Sequence, residues 1–221
     1  MYSKFTVDTV ANSVIIIKVY AENIAGEIHC YIDQVEIEQF RYSYIDDHFD
    51  LVISFHKSKQ HIIEIIGIYT NIKFNSVYGI RSCFIDKLDE DLETCKEMFR
   101  DFPRVYFNHD VLPKNVKILD AMFYCAGLTK NVVIDIPDSV ISWHGIFNST
   151  KYVEKITLNC NKFPSQGTYV FPDKKVSISS DTAIPTKTLK GLIVDKINFK
   201  ILKENEKINE FIPSFNCIRT L

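Results

Sequence analysis

Period-two alternation of apolar and polar residues is the clearest pattern in the first third of the chain. In Gly26-Glu27-Ile28-His29-Cys30-Tyr31-Ile32-Asp33, the residues Ile28, Cys30 and Ile32 share one face, and Glu27, His29 and Tyr31 share the other. Such alternation predicts a half-buried strand. Val35-Glu36-Ile37-Glu38 and Leu51-Val52-Ile53-Ser54-Phe55 alternate likewise, whereas Val14 to Tyr20 and Ile62 to Tyr69 are apolar on both faces and predict central strands. Between these runs stand Ala11-Asn12-Ser13, Glu22-Asn23-Ile24-Ala25-Gly26, Asp46-Asp47-His48 and Lys57-Ser58-Lys59-Gln60, all carrying turn-favouring residues. Strands at this spacing, with no helical pattern between them, predict an antiparallel β-sandwich or small barrel over residues 1–87.

After Lys87 the pattern acquires a longer period: Phe99, Phe123, Phe147 and Phe171 are each 24 residues apart. Met98, Met122 and Ile146 precede three of them, with the shorter Val170 before the fourth. Pro113 and Pro137 keep the offset, as do Val116 and Val140, while Phe102, Ala126 and Thr150 keep it less closely. A period in the window of about 20–29 residues suits units that bury their apolar face only against their neighbours. Within one unit Ile134 and Ile136 alternate as a short strand, Pro137 ends its ladder for want of an N–H, and Asp138-Ser139 suit a turn. Phe123 and Phe147 are then expected to stack in adjacent coils. The competing reading is a single α+β domain in which the spacing is coincidence.

The segment Met122-Phe123-Tyr124-Cys125-Ala126-Gly127-Leu128-Thr129, with Val133-Ile134-Asp135-Ile136-Pro137-Asp138-Ser139-Val140, Ile146-Phe147 and Val153-Glu154-Lys155-Ile156-Thr157-Leu158, resembles the BspA-type leucine-rich repeat. In that family a phenylalanine near a cysteine and a leucine is followed by a short strand and an Ile-Pro-x-Ser-Val turn. The resemblance is strongest over 119–158 and implies about three copies within 92–171. Together the two patterns predict a β-rich α+β chain: an antiparallel sandwich or barrel over 1–87, then a short leucine-rich-repeat-like solenoid with a C-terminal cap over 88–221. The copies lose phase from Asn159 onward. The expected cap begins at residue 172 and includes strand-like runs at Val176 to Ile178, Gly191 to Val194 and Phe199 to Leu202, with a short exposed helix or loop between Lys203 and Glu210.

Composition narrows the function classes. With 221 residues, 46% of them hydrophobic and 24% charged, the chain is ordinary globular material. Its 26 basic and 28 acidic residues leave a net charge of -2, so no nucleic-acid partner is expected. The apolar stretches fall short of the roughly 20 residues that span a bilayer. The N-terminus has no small-residue cleavage site, so neither membrane insertion nor a signal peptide is expected. The expected location is the cytoplasm or a virion.

Candidate chemistry is sparse. Cys30, Cys83, Cys95, Cys125, Cys160 and Cys217 form no Cys-x-x-Cys pair and are expected to be free and mostly buried. His48, His56 and His61 lie close in sequence but not at the spacing of a helical metal pair. Asp46-Asp47-His48-Phe49-Asp50 lacks the glycine and distal glutamate of a calcium loop and reads as a solvated hairpin turn. Cys125, with Trp143 and His144 opening the next copy, reads as core or rim, and no phosphate loop or nucleophile elbow occurs. No catalytic, cofactor-binding or metal-ligating residue is therefore expected, and no cofactor. The expected function is a non-catalytic structural or protein-interaction protein acting through a protein partner or self-assembly. It would serve as a component of a bacteriophage particle or, alternatively, as a cytoplasmic bacterial protein-binding module, with exposed positions such as Lys155 making contact. A hydrolase with a site between the two halves is the enzymatic alternative.

If Phe123 fills a central layer, Phe123→Ala should cost on the order of 3–5 kcal/mol in denaturant melts. A loss below about 1 kcal/mol would show that the ring is not core.

Overall fold

The computed structural model describes residues 1–21, 28–37, 40–43, 48–172 and 176–180. The chain runs through β1 (Tyr2–Tyr20), β2 (Ile28–Ile32), β3 (Val35–Ile37), β4 (Phe40–Ser43), β5 (His48–Phe55), β6 (Gln60–Gly67) and β7 (Asn71–Lys87). Shorter strands follow at β8 (Val105–Phe107), β9 (Asn131–Asp135), β10 (Lys155–Asn159) and β11 (Ser177–Ser180).

β1 organises the N-terminal sheet. Its first half pairs with β6 from Tyr2↔Ile66 to Asp8↔Gln60, and its second half pairs with β5 from Ser13↔Phe55 to Val19↔Phe49. Its other edge pairs with β7 along almost its whole length, from Lys4↔Lys87 to Tyr20↔Asn71. Ser3, Phe5, Val7 and Thr9 face the core from the first half, and Ser13, Ile15, Ile17 and Val19 from the second. Ala11-Asn12-Ser13, expected to separate two strands, is instead a corner within one strand: Ala11 and Asn12 are exposed, and Asn12 has a φ of 59°. Opposite the corner, Gly79 has a φ of +72°, and a Cβ there would meet Ser13 Cβ and Val10 Cγ2 at 2.7 Å each. Only glycine satisfies both the backbone sign and that close approach.

The corner folds the sheet over itself. Phe74 lies in β7 opposite Ile17, twelve residues beyond Phe5, or about 40 Å along an extended strand at ~3.3 Å per residue. Yet the Phe5 and Phe74 ring centroids are 4.5 Å apart. One sheet thus encloses its own core, with strand order β3-β2-β6-β1-β5-β4 and with β7 on β1's other edge.

β7 also starts the second half. Its outer edge pairs in parallel with β8, and the Phe74 amide donates to Met98 O at 2.8 Å. From there the chain winds in turns of 24 residues that hydrogen-bond to one another. The amides of Glu97, Phe99 and Asp101 donate to the carbonyls of Asp120, Met122 and Tyr124, and the amides of Ala121, Phe123 and Cys125 repeat this onto His144, Ile146 and Asn148. Phe99, Phe123 and Phe147 stack at 6.3 Å and 6.0 Å, each pair within 11° of parallel. On the far side β9 and β10 pair in parallel with an offset of 24, and β10 pairs with β11 with an offset of 22. The last turn is two residues shorter, and Phe171 leaves the ring stack to meet Trp143 edge-on at 6.3 Å.

The expected α+β chain, a sandwich or barrel followed by a leucine-rich-repeat-like solenoid, is corrected on these grounds. The described residues contain no helix and form one curled antiparallel sheet, with β8 as a parallel addition, and a small parallel sheet of β9, β10 and β11. The turn-rich segments cannot be helical because Glu97 and Asp101, Ala121 and Cys125, and Gly145 and Ser149 all have φ between 53° and 60°, and left-handed residues interrupt a right-handed helix. Of the expected cap, the strand-like run Val176 to Ile178 overlaps β11, while the runs at Gly191 to Val194 and Phe199 to Leu202 and the helix or loop between Lys203 and Glu210 lie outside the described residues.

Two substitutions should behave oppositely. A Cβ on Gly127 would stand 2.0 Å from Pro103 O, so Gly127→Ala should lower stability by about 3 kcal/mol or prevent folding, because backbone cannot move aside as a side chain can. Ala121 holds a φ of 53°, so Ala121→Gly should be neutral or stabilising by up to about 1 kcal/mol in chemical denaturation.

Candidate functional site

The stacked turns build a groove where β9 and β10 end. Pro137 has no N–H, so the β9–β10 ladder ends with the Ile136 amide donating to Asn159 O at 2.8 Å. Pro113 and Pro137 open equivalent bends, with the amides of Val116 and Val140 returning to their carbonyls at 3.2 Å and 3.1 Å. The side chains of Leu88, Leu112 and Ile136 recur at 24-residue spacing and are buried along this line. Beside them a groove of about 1130 Å³ runs across successive turns.

Its rim is acidic. Asp86, Glu90, Asp110, Asp135 and Asp138 line it against Lys87 and Lys114, five carboxylates less two ammonium groups, or a net charge of -3. Asp86 accepts the Thr6 hydroxyl at 2.8 Å, and Asp138 accepts the Asn161 amide at 3.2 Å. Asp135 accepts the Asn159 amide at 2.6 Å and pairs with His109 Nδ1 at 2.9 Å. Donating that hydrogen bond to the Asp135 carboxylate raises the His109 pKa. Glu90 and Asp110 have no hydrogen-bond or salt-bridge partner among the described residues.

A second concave surface, a cleft of about 690 Å³, lies at the turn between β2 and β3. Asp33 and Gln34 have φ of 51° and 70°, the backbone of a two-residue hairpin turn of mirror-image type. The Asp33 carboxylate accepts hydrogen bonds from Lys59 Nζ at 2.8 Å, His61 Nδ1 at 2.9 Å and the Ile62 amide at 3.0 Å. Burial alone would raise its pKa, but these donors outweigh burial and hold it down at about 2. An Asp–His pair of this geometry can orient a catalytic base. Here His61 Nε2 is sealed from solvent and has no partner among the described residues, and the Phe55 ring lies 4.3 Å from the imidazole. A substrate cannot reach that nitrogen, so the pair fastens the hairpin turn to β6.

The residues weighed from sequence are dispersed. Asp46 and Asp47 lie outside the described residues, while His48, Phe49 and Asp50 belong to β5 rather than to a turn, with His48 Nε2 3.1 Å from Asp50 Oδ1. Cys30, Cys83 and Cys95 are buried free thiols, and burial pushes each pKa up, to about 12 for Cys30. Cys125 is half-buried, its pKa raised by burial and then by Asp101. Trp143 is fully buried. His144 Nδ1 accepts the Thr168 amide at 3.1 Å, and Cys125 and His144 share no contact. Cys217 lies outside the described residues. Sequence reasoning missed the groove carboxylates and Asp33. The former were findable by carrying the 24-residue offset onto polar positions, from Asp86 to Asp110 and from Glu90 through Lys114 to Asp138.

Comparison with protein-family models, curated proteins and solved structures finds no match to this chain. No helix among the described residues is long and apolar enough to cross a membrane.

Because the Asp33 pKa is depressed on folding, its contribution to stability is fully present above the unfolded carboxyl value near ~4 and is lost as pH falls through the folded value of about 2. Asp33→Asn should therefore lower stability at pH 7 and flatten the decline between those limits. A variant melting curve that parallels wild type at every pH would contradict this.

Proposed function

We propose that this is a non-catalytic protein-interaction protein that engages its partner through the groove across the stacked turns. The observation that supports it is the groove itself: about 1130 Å³, open to solvent, and built from the same positions of successive turns. Rigid stacked backbone presents these side chains at fixed intervals, which suits recognition of an extended partner. The Asp33–His61 pair gives no rival enzymatic centre, since its free nitrogen is sealed.

Filling the groove tests the proposal. Val111, half-buried on its wall, replaced as Val111→Trp should leave the melting temperature near wild type and remove partners that copurify with the unmodified chain. Reversing the exposed Lys155, which is not part of the groove lining, should then have little effect. Light scattering on the purified chain separates a partner protein from self-assembly. Turnover of a screened substrate that disappears in a folded Cys125→Ala or His144→Ala variant would overturn the proposal.

A further inference from the structure

We infer that the groove takes an extended, lysine- or arginine-bearing segment of another protein, an inference that rests on reading the groove as a protein-binding surface. Two features of different kind support it. The first is shape: the groove is crossed by four successive chain segments, 86–90, 108–114, 135–138 and 159–161, with half-buried Val111, Pro137 and Cys160 in its lining. Three intervals of ~4.8 Å give about 14 Å, the length of roughly four extended residues. In an extended segment alternate side chains face opposite ways, so one set can enter the groove beside the rim carboxylates.

The second feature is charge. The lining carries five carboxylates against two lysines, and Lys87 is drawn over the Tyr2 ring at 5.3 Å. Glu90 and Asp110 are exposed and have no hydrogen-bond or salt-bridge partner among the described residues. Unpaired carboxylates along an open groove offer no gain to an acidic or wholly apolar segment. They attract ammonium or guanidinium groups, whose aliphatic stems can pack on half-buried Val111 and Pro137 while the charge stays at the rim.

The test uses the full chain and a fluorescein-labelled pentapeptide of alternating lysine and valine, with a glutamine-for-lysine peptide as control. Fluorescence anisotropy should show saturable binding of the lysine peptide alone. Raising salt from about 20 mM to about 500 mM should weaken that binding on the order of tenfold, because screening shortens the reach of the rim charges. The double variant Glu90→Gln, Asp110→Asn should weaken it on the order of fivefold. Glu154→Gln, far from the groove and paired with Lys130, should leave binding unchanged. Should the double variant lose stability, Lys114→Glu provides the converse test, since it raises the negative charge and should tighten binding.

Equal binding of the glutamine peptide, no binding of the lysine peptide, or affinity unmoved by both Lys114→Glu and the double variant would overturn the inference. If Val111→Trp still removes copurifying partners in that case, the interaction reading stands and only the basic segment falls.

Discussion

Phe74 is where the two halves of this protein become one. In β7 it is paired opposite Ile17 of β1, its ring meets Phe5 across the folded sheet, and it stacks on Phe99 at 5.1 Å. Its amide donates to the first turn through Met98 O. From it a line of rings continues through Phe99 and Phe123 to Phe147. Each buried ring contributes roughly 1.5–3 kcal/mol by its removal from water, and each favourable ring pair about 0.5–1.5 kcal/mol more. The sheet therefore supplies a finished apolar surface on which the first turn can settle, and each turn supplies the next.

Charges follow the same register as the rings. Lys73 pairs with Glu97, Lys117 with Glu93, and Lys130 with Glu154, each across an offset of 24. Solvent-exposed pairs of this kind add little stability, but opposite charges one turn apart penalise any slip that would bring like charges together. The Lys73 pair is the most sheltered of the three and belongs to the junction itself. The groove departs from this rule in part: Asp86 and Asp110 are like charges one turn apart, and Glu90, although Lys114 follows it by 24, has no salt-bridge partner among the described residues. Charges that do not balance within the stack are available to something outside it.

The alternation over 28–32 and 51–55 was legible as strand, and the spacing of Phe99, Phe123 and Phe147 was legible as a period because a fixed turn length repeats every side chain's position. β7 escaped notice although it is 17 residues long. Its core-facing residues switch from even positions at Ile72, Phe74 and Ile80 to odd ones at Cys83 and Ile85, across Arg81, where the register with β1 shifts between Thr9 and Asp8. A bulge that adds one residue reverses the face of all that follow, and a local window then sees no alternation. Phe171 misled for the opposite reason: its spacing is right and the Phe147 amide still donates to Val170 O in register, but its ring meets Trp143 edge-on instead of joining the stack. The hairpin turn at Asp33-Gln34 lacks the glycine that would have marked it. Of the groove, the period was readable; which positions of each turn line it was not, since that depends on how the turns stack.

The order of contacts also sets how the molecule comes apart. β1 and β7 are bonded along nearly their full lengths and are central to the sheet, whereas the last turn among the described residues has a single neighbouring layer within them. Opening the outermost described turn, around Val170, breaks the bonds that its carbonyls accept from Trp143, Gly145 and Phe147, while opening the turn around Phe99 requires the outer ones to leave first or with it. Amide hydrogen exchange would accordingly grow slower from Phe147 toward Phe74, a gradient of local opening free energy along a single core. A groove built across those same turns is then least rigid at its distal wall, so an occupant that bridges all of them would act as a clasp on the end that frays first.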